Sequence, residues 1–152
     1  MWKFIFPILI AGILCGCASG NSADKCLKDN ETDLLIKWGD QYNRFGTRIY
    51  SVIDAKLNYY KVREDSTGGK IFSDSARIEP ENFCKIKQEL TQLILATQAM
   101  AFPGSTQQFI EYVSPQQNIY FRAIWNPEHT NYGNKNLRNF YDSLTFKATE
   151  NL

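Results

Sequence analysis

The chain has 152 residues, of which 43% are hydrophobic and 14% aromatic, and its formal net charge is +1 at pH 7. This length is sufficient for one domain with one hydrophobic core. The aromatic content is typical of a folded chain rather than a disordered one. Acidic and basic residues are nearly balanced and form no basic run, so we expect no nucleic-acid partner.

An uncharged and mostly apolar run, Phe4 to Leu14, follows Lys3 at the start of the chain. A basic residue, an apolar run and then a small residue are typical of a secretory signal peptide. As a helix the run would be about 16 Å long, roughly half of a bilayer core of about 30 Å. We therefore expect residues 1–16 to be a signal peptide that is removed, and no spanning anchor.

The run ends in Leu14-Cys15-Gly16-Cys17, which resembles the lipobox of bacterial lipoproteins. The resemblance implies cleavage before Cys17, a diacylglyceryl group on its sulfur, and attachment of the mature chain to the outside of a membrane. Ala18 is not the aspartate that favours inner-membrane retention in that family. The outer membrane of the cell envelope is therefore the expected location if the host has two membranes. The alternative is an ordinary signal peptide in which Cys17 has no such role.

The residues that follow Cys17 are small and polar up to Asp24, which is the composition of a linker. We interpret 17–25 as a short lipidated tether, in which the eight residues after Cys17 reach about 16 Å on average. Residues 26–152 are then a single domain held near the membrane surface.

Two cysteines, Cys26 and Cys84, remain in this domain. In an oxidising compartment such a pair is expected to form one disulfide. Two separate buried thiols are the alternative. A metal site is not expected, because His129 is the one histidine and the cysteines are not clustered.

The first predicted element of the domain is an amphipathic helix over 31–45, in which bulky apolar residues recur at helical spacing. Gly39 lies inside it, and a strand over Leu34–Trp38 followed by a turn is the competing interpretation. Two strands are predicted next, Thr47–Asp54 and Leu57–Val62, because β-branched and aromatic residues are abundant in both.

A turn signal at Ser66 to Gly69 precedes Lys70–Ile78, which is predicted as an edge or bulged strand because its apolar residues do not alternate. The longest helix is predicted over Pro80–Ala101, since proline and flanking glutamates suit a helix start and one face is apolar. Two strands follow, Phe109–Val113 and Ile119–Trp125.

These last two strands are predicted to form a hairpin around a turn that contains Pro115. If 115–118 is the loop, Glu111 lies opposite Arg122, and such a cross-strand pair stabilises by roughly 0.2–1 kcal/mol. A short helix over Asn136–Leu144 is predicted to end the domain.

The predicted fold is α+β: an antiparallel sheet of about five strands packed against a long central helix, with shorter N- and C-terminal helices. An antiparallel sheet can leave its second face to solvent or to a partner.

One candidate binding site is the loop 125–136, which is rich in amides and carries Trp125, Asn126, His129 and Tyr132. Amide and aromatic side chains bind sugar or peptide surfaces by hydrogen bonds and stacking. The alternative is a long connection whose asparagines form turns and cap the last helix.

A second candidate is the face of the sheet that carries Arg122. Tyr59 and Tyr60 are adjacent on one strand and Tyr120 and Phe121 on another, so one member of each pair enters the core and the other faces outward or contacts another element. An outward tyrosine beside Arg122 is typical of a protein interface. A second helix that covers this face is the alternative.

No phosphate-binding loop, zinc signature, serine-nucleophile motif or dinucleotide fingerprint is present. Glu128 and His129 are adjacent in a loop and no nucleophile accompanies them, so we predict no catalytic residue, no metal and no cofactor.

We predict a non-catalytic envelope lipoprotein that binds a protein partner, and an inhibitor or immunity protein is one version of that function. The alternatives are a carbohydrate- or peptide-binding lipoprotein that uses the 125–136 loop, and a structural subunit of an envelope assembly.

Overall fold

The computed structural model describes Cys26 and residues 31–96, 104–128 and 135–149. Within them six strands form one antiparallel sheet, which two helices accompany. The strands are β1 (Leu35–Tyr42), β2 (Thr47–Asp54), β3 (Asn58–Glu64), β4 (Lys70–Arg77), β5 (Thr106–Ser114) and β6 (Ile119–Trp125), and the helices are α1 (Pro80–Ala96) and α2 (Lys135–Thr149). The predicted α+β class is confirmed, although the sheet has six strands rather than about five and its two helices differ little in length.

The strands follow the order β4-β3-β2-β1-β5-β6 across the sheet. The first four strands form a meander, because each pairs with the next one along the chain. After α1 the chain returns to the other side of β1, where β5 pairs with it and β6 pairs with β5. Strand β1 therefore lies in the middle of the sheet, with a hydrogen-bonded neighbour on each side.

The helix predicted over 31–45 is wrong, because this segment contains the central strand β1. Ile36 and Trp38 alternate towards the helices and are buried. Gly39 explains why a strand is favoured: a Cβ atom built there would lie 2.2 Å from the Ile49 carbonyl oxygen of β2. Glycine is a poor helix former, and in this strand it permits a close approach of two backbones.

Aspartate side chains hold two of the turns. The Asp54 carboxylate accepts hydrogen bonds from the amides of Lys56 and Asn58, both at 2.9 Å, in the connection between β2 and β3. The Asp65 carboxylate accepts bonds from the amides of Thr67 and Gly69 between β3 and β4. The turn predicted at 66–69 is confirmed, and it follows the general preference of aspartate for local backbone bonding.

Both helices pack on the same face of the sheet, which we call the helix face. Their apolar side chains form one cluster with alternate residues of the strands. The fully buried members with large side chains include Ile36, Ile53, Ile110 and Trp125 of the sheet, Phe83, Ile86 and Leu90 of α1, and Leu137, Phe140 and Leu144 of α2.

The opposite face, which we call the open face, carries no helix among the described residues. It has a smaller apolar cluster of its own, made of Tyr50, Val52, Val62 and Phe109. The pairing of the strands places further side chains on it, because residues directly opposite each other point to the same face. Glu111 lies opposite both Lys37 and Arg122, so the predicted alignment of Glu111 with Arg122 is confirmed.

The ends of the sheet differ from the expected boundaries in detail. Strand β4 is an edge strand, and its register with β3 shifts between Tyr59 and Lys61, which confirms the predicted edge or bulged strand. Helix α1 begins at Pro80 as predicted, and the last part of the predicted range, 97–101, lies outside the described residues. Helix α2 is longer than the predicted Asn136–Leu144. Neither described helix is both long and apolar enough to cross a bilayer.

A disulfide joins Cys26 to Cys84 near the start of α1, with 5.6 Å between their Cα atoms. The same region contains an ion pair between Lys87 and Glu31, whose side chains are 11% and 3% exposed. Gln117, from the turn after β5, donates a hydrogen bond to Glu31 at 2.7 Å. These contacts fasten the start of the domain to α1 and to the β5–β6 turn.

Candidate functional site

The candidate residues of the 125–136 loop do not form a surface site in the described part of the chain. Trp125 is 1% exposed and belongs to the core on the helix face. Its indole N–H donates to Gln108 Oε1 at 2.9 Å, and its ring meets the Tyr141 ring edge-on with centroids 5.3 Å apart. The indole therefore fastens α2 to the sheet, and no ring face remains for a sugar.

Asn126 is buried as well, with 7% of its surface exposed. Its side-chain oxygen accepts a hydrogen bond from the Glu128 amide at 2.9 Å, which is the turn expected of an asparagine in a connection. His129 and Tyr132 lie outside the described residues. The two candidates of this loop that the structure describes, Trp125 and Asn126, are therefore both buried.

Arg122 points to the open face, as the interface hypothesis requires. Its Nη2 donates to Gln41 Oε1 at 2.9 Å, and its Nε lies 3.2 Å from Glu111 Oε1. The neighbouring Tyr120 points to the same face and is 64% exposed. Phe121 points the other way and packs against the core of the helix face, so this aromatic pair divides between the two faces as predicted.

Glu111 is the centre of a charged group on the open face. Its carboxylate is only 5% exposed and is shared by three basic side chains. Arg48 Nη2 donates to Oε1 at 2.9 Å and Lys37 Nζ donates to Oε2 at 3.3 Å, in addition to the contact with Arg122. We call Lys37, Arg48, Arg122 and Glu111 the basic cluster; it carries two more positive charges than negative ones.

The basic cluster packs on two aromatic rings of the open face. The Tyr50 and Phe109 rings meet edge to face, with centroids 5.9 Å apart. Gly39 lies between their two strands. Arg48 lies above both rings, 4.5 Å from the centroid of Phe109 and 5.2 Å from that of Tyr50. A guanidinium in this position is held by cation–π attraction as well as by its ion pair, so its plane is fixed over the sheet.

Tyr50 extends this network towards β3. Its hydroxyl donates to Glu64 Oε2 at 3.0 Å. Burial and the adjacent carboxylate both disfavour the phenolate, and together they raise the pKa of Tyr50 to about 12. Tyr50 therefore remains a neutral donor throughout the physiological pH range.

Exposed aromatic side chains lie at both ends of the open face. Tyr120 is on the edge strand β6, and Phe72, which is 63% exposed, is on the edge strand β4. The Phe72 ring contacts the half-buried Tyr60 ring, with centroids 5.7 Å apart. Basic and aromatic side chains therefore share a surface that runs across the sheet from edge to edge.

The most distinctive polar group on the helix face is the pair Asp40 and Tyr141. The Tyr141 hydroxyl donates to Asp40 Oδ1 at 3.3 Å. Burial raises the pKa of Asp40 above its ordinary value, against the opposing effect of its hydrogen bonds from Tyr141 and Gln108. Gln108 also accepts the hydrogen bond of Trp125, so these contacts form a chain that positions α2. The chain of contacts includes no nucleophile.

Among the described residues, a metal site would require a close group of ligating side chains. In that part of the chain no three histidine, cysteine or acidic side chains lie close enough together to hold a metal ion. The charged group with the most contacts, the basic cluster, presents cations and hydrogen-bond donors. Its chemistry is that of binding an anion.

Sequence reasoning identified Arg122 and Glu111 but missed Lys37 and Arg48. Lys37 was assigned to a helix, where it would not have faced Glu111. Arg48 lies in a strand that was predicted with its observed bounds, and its alternation with Tyr50 and Val52 already placed the three on one face. What the sequence could not supply was the order of the strands, which places β2, β1, β5 and β6 side by side.

No protein-family model matches the chain, and no curated protein matches it.

Proposed function

We propose that this chain is a lipid-anchored lipoprotein of the cell envelope, with the outer membrane as its expected location, whose domain binds a protein partner without catalysis. The anchor rests on the sequence Leu14-Cys15-Gly16-Cys17. The disulfide between Cys26 and Cys84 supports an oxidising compartment.

One observation carries the binding function: the basic cluster and its flanking aromatic residues lie on the face of the sheet that no described helix covers. Arginine and tyrosine are enriched where proteins meet. An inhibitor or immunity protein is one version of this function, because a small anchored domain with a rigid face can block the surface of an incoming protein.

Site-specific photo-crosslinking in intact envelopes tests this proposal. A photoreactive phenylalanine is placed at Tyr120 or at Phe72 on the open face, and at Phe146 as the matched control. Phe146 is an aromatic residue that is 68% exposed on α2, which packs on the helix face. The expected result is a crosslinked protein of one discrete mass from positions 120 and 72 and none from 146.

Crosslinks from position 146 alone would show that the helix side makes the contact. The absence of a crosslink from all three positions, in envelopes that contain the folded protein, would contradict a protein partner.

A further inference from the structure

We infer that the open face binds an acidic segment of the partner protein, whose side-chain carboxylates bind to Arg48 and Arg122. This inference deepens the proposed function and rests on it. It specifies the chemistry that the partner brings to the surface.

The first argument is the charge of the basic cluster. Three basic side chains share the carboxylate of Glu111, which leaves two positive charges unmatched within the cluster. The other nearby carboxylate, Glu64, accepts the hydrogen bond of Tyr50 and lies 3.9 Å from Lys70. Glu64 lies opposite Arg48 in the β2–β3 register but forms its ion pair with Lys70, outside the cluster. A partner that brings negative charge to this face satisfies electrostatic complementarity.

The second argument is the number of unused donors. An arginine guanidinium has five N–H groups arranged as a planar fork. Arg48 uses one nitrogen for Glu111, and Arg122 uses one for Gln41. The Nη1 atom of each donates to no described group and, unlike the buried Nε atom, is open to solvent. A carboxylate can take two such donors at once, which makes it a strong ligand for this fork.

The third argument is access and orientation. The side chains of Arg48 and Arg122 are 21% and 30% exposed, so their outer edges can be reached without unfolding the sheet. Contacts with Phe109 and with Glu111 fix the two guanidinium groups in place. Because their positions are fixed before binding, less conformational entropy is lost when a ligand orders them.

The fourth argument distinguishes a protein segment from a free anion. The arginines lie on a sheet face rather than in a deep cavity, with Tyr120 and Phe72 exposed at its two ends. These two aromatic rings, on either side of the basic cluster, offer apolar contact to a partner surface that extends across the sheet. A protein segment with acidic side chains among apolar ones uses both features, whereas inorganic phosphate uses the charge alone.

The test uses the mature acylated protein in a non-ionic detergent, with poly-L-glutamate as the probe and inorganic phosphate and poly-L-lysine as comparisons. Binding is measured at pH 7.4 and low ionic strength, where surface charges are least screened. The wild-type protein should bind poly-L-glutamate and not poly-L-lysine. Arg48→Gln and Arg122→Gln should each weaken that binding about tenfold, the effect expected from the loss of a charge-assisted bond.

The matched control is Arg63→Gln. Arg63 is an exposed arginine of β3 whose register places it on the other face of the sheet. The substitution removes the same charge, so any effect of net charge alone appears here. Its expected effect on poly-L-glutamate binding is less than about twofold.

For Glu111→Gln the inference predicts a gain in affinity for poly-L-glutamate rather than a loss. Glu111 competes with an incoming carboxylate for the same arginines, so its neutral replacement should tighten poly-L-glutamate binding several-fold. A merely structural role for Glu111 would leave the affinity unchanged or reduce it. Thermal unfolding of each variant checks that it is folded at the temperature of the assay. Arg48→Lys is a second variant for the binding measurement, because it keeps the positive charge but loses the planar guanidinium group.

Four results would overturn the inference. They are no binding of poly-L-glutamate to the wild type, an equal loss in Arg63→Gln, no loss in Arg48→Gln and Arg122→Gln, and full competition by inorganic phosphate at the same concentration of charge. If these occur while positions 120 and 72 still crosslink to one protein, the proposed function stands and only the acidic chemistry is wrong.

Discussion

Gly39 shows how one residue determines the structure of the open face. A Cβ atom there would lie 2.2 Å from the Ile49 carbonyl oxygen and 2.5 Å from the Tyr50 Cα, which are backbone atoms that cannot rotate away. Because the backbones of β1 and β2 approach so closely, the Tyr50 and Phe109 rings can meet across the glycine. The position of Arg48 above these rings depends on that approach.

We expect Gly39→Ala to lower the free energy of unfolding by about 3 kcal/mol, the upper end of the range for overpacking. Gly68→Ala is the control. Gly68 has a φ of +84° and open space around it, so the cost there is conformational only, about 1 kcal/mol. Urea unfolding of the oxidised proteins measures both, and a Gly39→Ala protein as stable as Gly68→Ala would contradict the close approach.

The buried carboxyl group of Asp40 should make the stability of the protein depend on pH, and the direction of this dependence follows from its environment. Burial raises the pKa of this carboxyl in the folded protein above its ordinary value of 3.8. The folded state therefore favours the protonated form, and this contribution to stability is fully present below the unfolded pKa. It is lost as the pH rises through the folded pKa.

Asp40→Asn keeps an oxygen that can accept the Tyr141 hydrogen bond but cannot ionise. The stability of this variant relative to wild type, measured as the difference in the free energy of unfolding, should therefore be greater at pH 7 than at pH 3.5. Urea titrations of both proteins at pH 3.5, 5 and 7 give this difference directly. A relative stability of the variant that falls as the pH rises would show that the charged carboxylate is stabilising.

At the scale of the elements, the sequence predicted what short-range chemistry determines. Strand β2 was predicted with its observed bounds, the turn before β4 was identified from its glycines, and α1 begins at the predicted proline. Strand β1 was only the competing interpretation, over the shorter range Leu34–Trp38, because its apolar residues fit helical spacing as well as alternation. Only pairing with strands on both sides decides between the two, and such tertiary contacts override local preference.

The disulfide stabilises the domain by linking its start to helix α1. It links Cys26 to α1 across a separation of 58 residues, and in the chain-entropy model a loop of that size stabilises by about 4 kcal/mol. The double variant Cys26→Ser with Cys84→Ser should lose most of this in urea unfolding. Mass mapping without reductant should find the two residues linked in the wild type. A loss under about 1 kcal/mol would contradict this contribution of the disulfide to stability.

At the scale of the molecule, the two faces of the sheet differ in what covers them among the described residues. The helix face contains the main core, and Cys26 packs against that core. The described start of the domain is therefore on the helix side of the sheet. If the chain is anchored through the preceding residues, the basic cluster lies on the opposite side from the attachment point, where a partner can reach it.

This arrangement explains why the candidate site could be predicted only in part. Arg122 was identified because it is local to a hairpin whose register the turn determines. Arg48 and Lys37 come from strands that are distant in the sequence from Glu111, by 63 and 74 residues. Trp125, the last residue of a predicted strand and the first of the candidate loop, was predicted to bind a ligand, but the packing of Tyr141 of α2 against it buries it.

The anchor itself gives the last prediction, which separates the two cysteines of the motif Leu14-Cys15-Gly16-Cys17. If the resemblance to a lipobox is correct, Cys17→Ser should abolish incorporation of labelled fatty acid. Cys15→Ser should leave it intact, because Cys15 is removed with the signal peptide. Each buried methylene of an acyl chain contributes about 0.8 kcal/mol to membrane binding, and more than one chain makes attachment stable. Label in the Cys17→Ser protein, or its absence from the wild type, would remove the basis for the anchor while leaving the chemistry of the open face unchanged.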